Sequence, residues 1–342
     1  MNYKSICLPV SEASAAGEAR RVAMGLAEDL KFHSVKVGEV GIIVTELANN
    51  LWRHAGEGEI VFRTLSAPGR LPSARHIMGL EILSIDKGPG MPDVERCLRD
   101  GFSSGGSAGI GLGAISRLSS FSEIYTRPRQ GTVSISQIWA TPLPKTFFSA
   151  AEIGAVCLQI KGQQVCGDAW AEKTTEAGQQ LLLVDGLGHG PGAAQASDTA
   201  VEVFLEKNLP AKEMIEALHL ALKTSVGAVV GLVEITPRGR TFSFIGLGNI
   251  AGRVSNGEER KSLLSHNGTV GVALHSVRQE NYPWRNNSLL VMHTDGISGK
   301  WDLENYPGLS SRHPSVIAGV IYRDFRRDRD DASVIVMREP SD

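Results

Sequence analysis

The sequence predicts an α+β protein made of two consecutive domains. A chain of 342 residues is long enough for about two domains of ordinary size. Helical patterns alternate with short apolar runs throughout, and in the second half many such runs surround helices that come in pairs. Between the halves, residues 140–146 contain two prolines, and proline cannot donate to a sheet ladder. We therefore predict domains at 1–140 and 151–342, joined by a linker at 141–150.

The first domain is predicted to place helices on one face of a mixed sheet. Its first helix is alanine-rich and repeats Val22, Leu26 and Leu30 at helical spacing. The strands are short apolar runs bounded by turn-forming residues. In chain order, the predicted elements are helices at 11–30 and 37–55, strands at 60–65 and 77–85, a helix at 110–118, and two strands that meet at the turn 127–131.

The second domain is predicted to be an α+β sandwich, because strands dominate and the helices occur mainly as one inserted pair. The predicted helices lie at 191–207, 211–222 and 313–325. The predicted strands lie at 153–160, 181–185, 228–235, 241–247, 251–254, 289–294 and 333–337.

Composition excludes several classes of function. The formal net charge of −2 gives no reason to expect nucleic acid or an anionic membrane as a partner. No apolar run reaches the roughly 18–20 residues that span a bilayer, and the first residues form no apolar signal segment. The four cysteines are scattered without a CxxC pair, which favours buried free thiols in a reducing compartment. We expect a cytoplasmic protein.

Four features in the first domain indicate an ATP pocket. Glu46 and Asn50 are four apart on a predicted helix, so a carboxylate and an amide share one face. Asp86 follows an apolar strand and begins the turn Asp86-Lys-Gly-Pro-Gly90, where a carboxylate can accept the amine of adenine. The glycine-rich run 105–113 precedes a helix, whose free N–H groups can bind phosphates. Thr132, after Gly131, can close the site with its hydroxyl.

These features resemble the ordered N, G1, G2 and G3 boxes of the GHKL ATPases over about residues 5–139, which implies the ATP-binding α/β sandwich known as the Bergerat fold. Within that superfamily the match is to small serine/threonine kinases of the anti-sigma-factor (RsbT) type. The resemblance implies that Glu46 is the catalytic base, that Asn50 binds Mg²⁺, and that Asp86 contacts adenine. The expected pocket-lining residues are Gly88, Gly90, Gly109, Gly111, Gly113 and Thr132.

Acidic residues in the second domain indicate a dinuclear metal site. Carboxylates next to apolar strands and glycines are well placed to hold hard cations. Two cations that share one carboxylate can position water for attack on phosphorus. The acidic residues in this pattern are Asp168, Asp185, Asp295, Asp330 and Asp331.

This order resembles the type 2C metal-dependent serine/threonine phosphatases, in their SpoIIE/RsbX branch, over about residues 150–340. The resemblance implies an αββα sandwich that binds two Mn²⁺ or Mg²⁺ ions. Asp185 would bridge both ions, and the carbonyl of Gly186 would be a further ligand. The second ion would be held by Asp295 and by Asp330 or its neighbour Asp331, while Asp168 would act through metal-bound water. One departure concerns substrate choice: Lys223 stands where many members carry arginine.

Both resemblances together predict a switch regulator with opposed activities. The first domain would use ATP to phosphorylate serine or threonine of a STAS-domain partner of the anti-sigma-antagonist or stressosome kind. The second domain would dephosphorylate a STAS partner. The alternative is a phosphatase whose GHKL domain senses nucleotide or sequesters a partner without transferring phosphate. The sequence leaves the oligomeric state open.

Overall fold

In the computed structural model, the described residues form six stacked layers of secondary structure. The layers are three helices, a sheet, one helix, two sheets facing each other, and a pair of helices. The structure describes residues 5–67, 76–94, 97, 111–143, 151–175, 178–236, 240–257, 259–285 and 287–339.

The first sheet has five antiparallel strands in the order β1-β2-β3-β5-β4. Alternate residues of a strand point to opposite faces, and here both faces are buried. On one face Leu80 and Ile82 pack under the helices, and on the other lie Leu83 and Ile85. The strands are β1 (Ile6–Val10), β2 (Gly58–Ala67), β3 (Ile77–Ile85), β4 (Phe121–Arg127) and β5 (Gly131–Trp139). The covering helices are α1 (Ala13–Asp29), α2 (Ser34–Asn50) and α3 (Gly111–Leu118).

The two further sheets face each other across an apolar core that includes Trp170, Phe244 and Met292. One sheet has the order β13-β10-β9-β8-β7, with β14 paired to β10, and a helix pair covers its outer face. The other sheet has the order β12-β11-β15-β16-β6. The strands are β6 (Glu152–Leu158), β7 (Asp168–Thr175), β8 (Gly178–Gly186), β9 (Ala228–Ile235), β10 (Thr241–Leu247), β11 (Ala251–Ser255), β12 (Arg260–Ser262), β13 (Ser265–His266), β14 (Glu280–Pro283), β15 (Leu289–His293) and β16 (Ala332–Arg338). The helix pair is α4 (Pro191–Glu206) and α5 (Ala211–Ala221).

The last helix, α6 (Pro314–Phe325), joins the two halves of the molecule. One side of it packs on β6 and β16, and the other packs on β3 and β5 of the first sheet. A Cβ added at Gly154 would lie 1.9 Å from the backbone nitrogen of Ser315, and one added at Gly319 would lie 2.8 Å from Cγ1 of Val133. Glycine at these two positions therefore allows close packing on both sides of α6.

A buried ion pair lies at the contact between the halves. Arg63 of β2 donates through Nε to Glu81 of β3 over 2.8 Å, and Glu81 is fully buried. The hydroxyl of Ser315, on α6, donates to the second oxygen of Glu81 over 2.9 Å. Burial alone would raise the pKa of Glu81, but Arg63 outweighs it and the pKa lies below its usual value.

The predicted fold class is confirmed, with corrections to individual elements. The first sheet is antiparallel rather than mixed. The helix predicted at 37–55 is α-helical only to Asn50 and continues as a π-helix over Leu51–Ala55. Strands β1, β7, β12, β13 and β14 were not predicted. Residues 144–150 lie outside the described part of the chain, so the domain boundary remains a prediction.

Two further sequence expectations concern the cysteines and membranes. Cys157 and Cys166 are buried, with their sulfur atoms 3.9 Å apart, whereas Cys7 and Cys97 are partly exposed. Within the described ranges, no helix has both the length and the apolar character needed to cross a bilayer.

Candidate functional site

A cavity of about 230 Å³ opens between α2, the π-helix and strands β3 and β5. Glu46 and Asn50 both line it, as their spacing on α2 predicts, and so do Asp86 and Thr132. The structure thus brings together the residues predicted to bind and activate ATP. The side chain of Asn50 has no partner among the described residues, so its amide oxygen is available to a ligand.

The π-helix shapes one wall of this cavity. It begins directly after Asn50 and contributes Arg53, His54 and Ala55 to the lining. A Cβ added at Gly88 would lie 2.6 Å from Cβ of Ala55, so the turn after β3 closes tightly on the π-helix. Such single π turns often occur at functional sites, where they redirect side chains.

Asp86 is fixed by the backbone on both sides of the pocket. Its Oδ1 accepts the N–H groups of Gly88 and Thr132 at 2.8 and 3.1 Å. Oδ2 accepts no hydrogen bond from the described part of the chain and is available to the exocyclic amine of a base. Burial raises the pKa of Asp86 above its usual value, although these two N–H groups and the nearby Arg323 act in the opposite direction.

Two glycines with positive φ hold the turns around Asp86. Gly90 has φ of +68°, and a Cβ there would lie 2.1 Å from the carbonyl oxygen of Arg127. Gly131 has φ of +80°, and a Cβ there would lie 2.0 Å from the carbonyl oxygen of Asp86. A side chain at either position would both strain the backbone and displace the neighbouring turn.

Glu46 lies against the start of α3. A Cβ added at Gly111 would lie 2.5 Å from its Oε2, so a side chain there would displace the carboxylate of Glu46. Gly113 is buried within α3. Gly109, also predicted to line the pocket, lies outside the described residues.

The acidic residues of the second half gather where strands of both facing sheets end. Asp168 and Asp185 are directly paired between β7 and β8. Asp168 is buried and accepts a hydrogen bond from the hydroxyl of Thr294 over 2.8 Å. Burial, followed by the charge of Asp185, raises the pKa of Asp168 well above its usual value.

Asp185 lies at the centre of this acidic group. Burial, together with the charges of Asp295, Asp330 and Asp331, raises its pKa to about 7. Burial also raises the pKa of Asp330, helped by its neighbour Asp295. Asp295 itself accepts a hydrogen bond from Nδ2 of Asn249 over 2.7 Å. Carboxylates that repel one another in this way favour binding of a cation.

Asp330 and Asp331 have different environments. Asp331 is buried, and its two carboxylate oxygens accept the N–H groups of Ile160 and Gly167, each over 2.6 Å. Asp330 is half-buried and lies beside Asp295. The side chain of Asp331 therefore fixes the loop before β7, and Asp330 is the better candidate for a metal ligand.

The donor set suits hard divalent cations. Among the described residues, no three acidic, histidine or cysteine side chains are close enough to hold an ion by themselves. Mg²⁺ is usually bound through only one or two carboxylates and keeps several water ligands. The predicted carbonyl ligand belongs to Gly186, where a Cβ would lie 2.3 Å from the carbonyl oxygen of Ala193.

Sequence reasoning missed three polar residues around these sites. Thr294 bonds to Asp168, Asn249 bonds to Asp295, and Arg323 of α6 lies against the backbone of Asp86. Thr294 directly precedes a predicted ligand, so its position was a usable signal. Asn249 and Arg323 belong to no motif, and only the tertiary structure brings them to the sites.

Two known protein families match the two halves of the chain separately. The histidine kinase-like ATPase domain family matches residues 9–137, and the stage II sporulation protein E (SpoIIE) family matches residues 175–339. The chain is 34% identical over 100 residues to the serine/threonine-protein kinase RsbT of Bacillus subtilis (strain 168), covering 29% of this chain and 70% of that protein. The chain belongs to the RsbT family of GHKL proteins, fused to a SpoIIE domain.

Two solved structures each resemble a little more than half of the chain. A structure described as "The bacterial stressosome: a modular system that has been adapted to control secondary messenger signaling" matches 55% of this chain and 99% of its own, with 26% identity and a TM-score of 0.51. RsbX in complex with magnesium matches 56% of this chain and 96% of its own, with 19% identity and a TM-score of 0.48. The family assignment made from the sequence is confirmed.

The RsbT-like domain contains the cavity with Glu46 and Asp86, and the SpoIIE domain contains the acidic group around Asp185. A domain related to a serine/threonine kinase and a domain of the serine/threonine phosphatase type thus occur on one chain. The roles of individual residues remain predictions.

Proposed function

We propose that this protein adds a phosphoryl group to serine or threonine of a STAS-domain partner and removes one from a STAS partner. The observation that carries the proposal is the pairing of two acidic sites on one chain. Glu46 faces the cavity that Asp86 borders, and Asp185 lies among Asp295 and Asp330. The relatives support the partner class: one is the kinase RsbT, and another belongs to a stressosome study.

In the proposed transfer reaction, the RsbT-like domain binds ATP and positions its γ-phosphate. The free oxygen of Asp86 accepts the amine of adenine, and Asn50 would hold Mg²⁺ between phosphate oxygens. Glu46 accepts the proton of the partner's hydroxyl while the hydroxyl oxygen attacks the γ-phosphorus. The bond to the β-phosphate oxygen breaks, and ADP leaves.

In the proposed hydrolysis, the SpoIIE domain transfers a phosphoryl group from serine or threonine to water. Asp185, Asp295, Asp330 and the Gly186 carbonyl would hold two Mn²⁺ or Mg²⁺ ions. The ions supply Lewis acidity at the phosphoryl group. Asp168, held in place by Thr294, orients the attacking water. The products are the free hydroxyl and inorganic phosphate.

The test uses a purified STAS-domain protein as the substrate. Purified full-length chain, Mg-ATP and Mn²⁺ are incubated with it, and its intact mass is followed over time. We expect a gain of one phosphate, about 80 Da, that is transient with wild type and persists with Asp185→Asn. No gain with either protein would contradict the kinase activity. Loss of the phosphate at the wild-type rate in Asp185→Asn would contradict the bridging role of Asp185.

The close packing of α6 on both halves favours a second candidate, a phosphatase controlled by a non-catalytic nucleotide-binding domain. Glu46 separates the candidates, because a base is needed for transfer but not for binding. If the domain is a kinase, Glu46→Gln keeps the ATP dissociation constant within about threefold and lowers transfer at least about a hundredfold. Calorimetry and partner mass measure the two effects. An unchanged rate of phosphorylation would exclude Glu46 as the base.

A further inference from the structure

Helix α6 lies between the two candidate sites. Its residues Pro314 to Arg323 are all buried, although a helix on a surface would leave one side exposed. The helix ends close to both sites, at Phe325. Its last turn therefore contacts groups that belong to the nucleotide pocket and groups that belong to the metal centre.

Arg323 connects the last turn to the nucleotide pocket. Its guanidinium is 4% exposed, and Nη1 lies 3.5 Å from the carbonyl oxygen of Asp86. Nε and Nη2 each donate to the carboxylate of Asp324 over 2.8 Å. The hydroxyl of Tyr306 donates to the same carboxylate over 2.9 Å. Asp86 is the residue whose carboxylate is predicted to bind adenine, so Arg323 contacts the backbone of the adenine site.

The end of α6 is also hydrogen-bonded to the segment that follows Asp295. The N–H of Arg327 donates to the carbonyl of Gly296 over 2.7 Å, and the N–H of Ser298 donates to the carbonyl of Phe325 over 2.8 Å. Gly296 directly follows Asp295, and Asp330 comes three residues after Arg327. Both candidate ligands are therefore attached to segments that the end of α6 fixes.

The first sheet also binds the segment between Asp295 and α6. The hydroxyl of Tyr125, on β4, donates to the carbonyl of Pro307 over 3.4 Å, and Nη1 of Arg127 donates to the carbonyl of Asn305 over 2.6 Å. This segment includes Tyr306, which holds Asp324. The route from Asp86 to the candidate metal ligands thus runs through polar contacts and through the backbone at the end of α6.

We propose that Arg323 couples the two sites, so that adenine bound at Asp86 raises the affinity of the centre at Asp185, Asp295 and Asp330 for divalent cations. Adenine bonded to Oδ2 of Asp86 restrains further the turn that begins there, and with it the carbonyl that Arg323 contacts. The end of α6 is then held more tightly before a cation binds, so cation binding costs less conformational entropy. Because coupling is reciprocal, the cation raises the affinity for adenine by the same factor.

The inference rests on the proposed function only in that the chain must bind both ligands. Adenosine is the probe, because it lacks the phosphates that chelate metal. Free Mn²⁺ is measured by electron paramagnetic resonance during titration of full-length protein, with and without saturating adenosine. We expect adenosine to lower the Mn²⁺ dissociation constant about fivefold or more. Adenosine affinity is measured by calorimetry with and without Mn²⁺, and should change by the same factor.

Three variants test the route. The Arg323→Gln protein should bind each ligand alone and lose the coupling. Asp324→Asn changes a partly exposed partner of Arg323 without altering its shape, and it should weaken the coupling. Arg312→Gln is the matched control, because Arg312 also bridges to the first sheet, through Glu123 over 3.3 Å, but lies before α6. It should keep the coupling. Equal loss in Arg312→Gln and Arg323→Gln would overturn the role of Arg323.

Two results in the wild type separate this inference from the proposed function. Binding of both ligands with independent affinities would overturn the inference alone. Failure to bind adenosine, or failure to bind Mn²⁺, would contradict the proposed function and the inference with it.

Discussion

At the scale of single residues, neighbouring aspartates of the acidic group have opposite roles. Asp331 accepts one buried and one partly buried N–H group, whereas Asp330 lies among like charges. A carboxylate that accepts backbone N–H groups contributes to stability, and one repelled by its neighbours contributes to cation binding. The sequence alone left open which of the two binds metal.

These roles predict different effects of alanine substitution. Asp331→Ala should lower the free energy of unfolding by about 2–4 kcal/mol, because one buried and one partly buried donor lose their acceptor. Asp330→Ala should change it by less than about 1 kcal/mol and abolish high-affinity Mn²⁺ binding. Urea unfolding of metal-free protein and Mn²⁺ titration measure the two effects. The reverse pattern would make Asp331 the ligand.

The raised pKa of Asp86 predicts how nucleotide binding depends on pH. Oδ1 already accepts two N–H groups, so protonation would place the hydrogen on Oδ2, the oxygen available to the amine of adenine. Burial raises the pKa of Asp86. Binding is therefore complete above this raised pKa and is lost as the pH falls through it. The loss should begin at a higher pH than for an ordinary aspartate, whose pKa is about 3.9.

Adenosine calorimetry over a pH series checks this expectation, because adenosine has no phosphate to titrate. Asp86→Asn is the control and should bind more weakly, without the acid-dependent loss. A wild-type affinity that stays constant down to about pH 4 would contradict the assignment of Asp86.

At the scale of elements, most helices and strands followed from apolar periodicity, and the exceptions have physical reasons. Strand β7 was missed because Glu172 and Lys173 interrupt its apolar pattern. Strands β12 and β14 are short and polar. Residues 51–55 continue the apolar pattern of α2, and side-chain spacing does not distinguish a π turn from an α turn.

The candidate sites were predictable where residues cluster in sequence and unpredictable where tertiary packing brings them together. Glu46 and Asn50 are one helical turn apart, so the sequence places them on one face. Helix α6 is apolar on all sides, which indicates complete burial, but nothing in its sequence identifies the first sheet as its cover. Arg323 was missed for that reason.

The packing of α6 on the first sheet can be tested at Gly319. Valine there would bring its Cβ to 2.8 Å from Val133 and 3.1 Å from Leu83. We expect Gly319→Val to lower the free energy of unfolding by about 1–3 kcal/mol, because overpacking strains a closely packed contact. Gly299→Val is the control, since no atom lies within 4 Å of an added Cβ there. Equal effects of both variants on urea unfolding would contradict the packing described.

At the scale of the whole molecule, the two domains share one core cluster, which joins Leu83 and Val133 to Val156, Val320 and Val334. The halves that the comparisons recognise separately are therefore not independent in this chain. A phosphatase half without the first sheet would expose one side of α6 to water.

This shared core predicts the behaviour of a truncated chain. Residues 151–342 alone should bind apolar dyes and melt at least about 5 °C below the full chain, which should unfold in a single transition. Calorimetry and dye fluorescence measure both effects. A monomeric fragment with the midpoint of the full chain would show that the contact between the halves adds no stability.

The buried pair of Arg63 and Glu81 has a consequence for how such a chain can be inherited. Its hydrogen-bond partners include the hydroxyl of Ser315 and the carbonyl of Ile153, which the other half supplies. If recombination replaced either half with that of a relative, the buried charges of Arg63 and Glu81 would lie against a surface without these matching partners. The two halves are therefore expected to pass between genomes together, as one inherited unit.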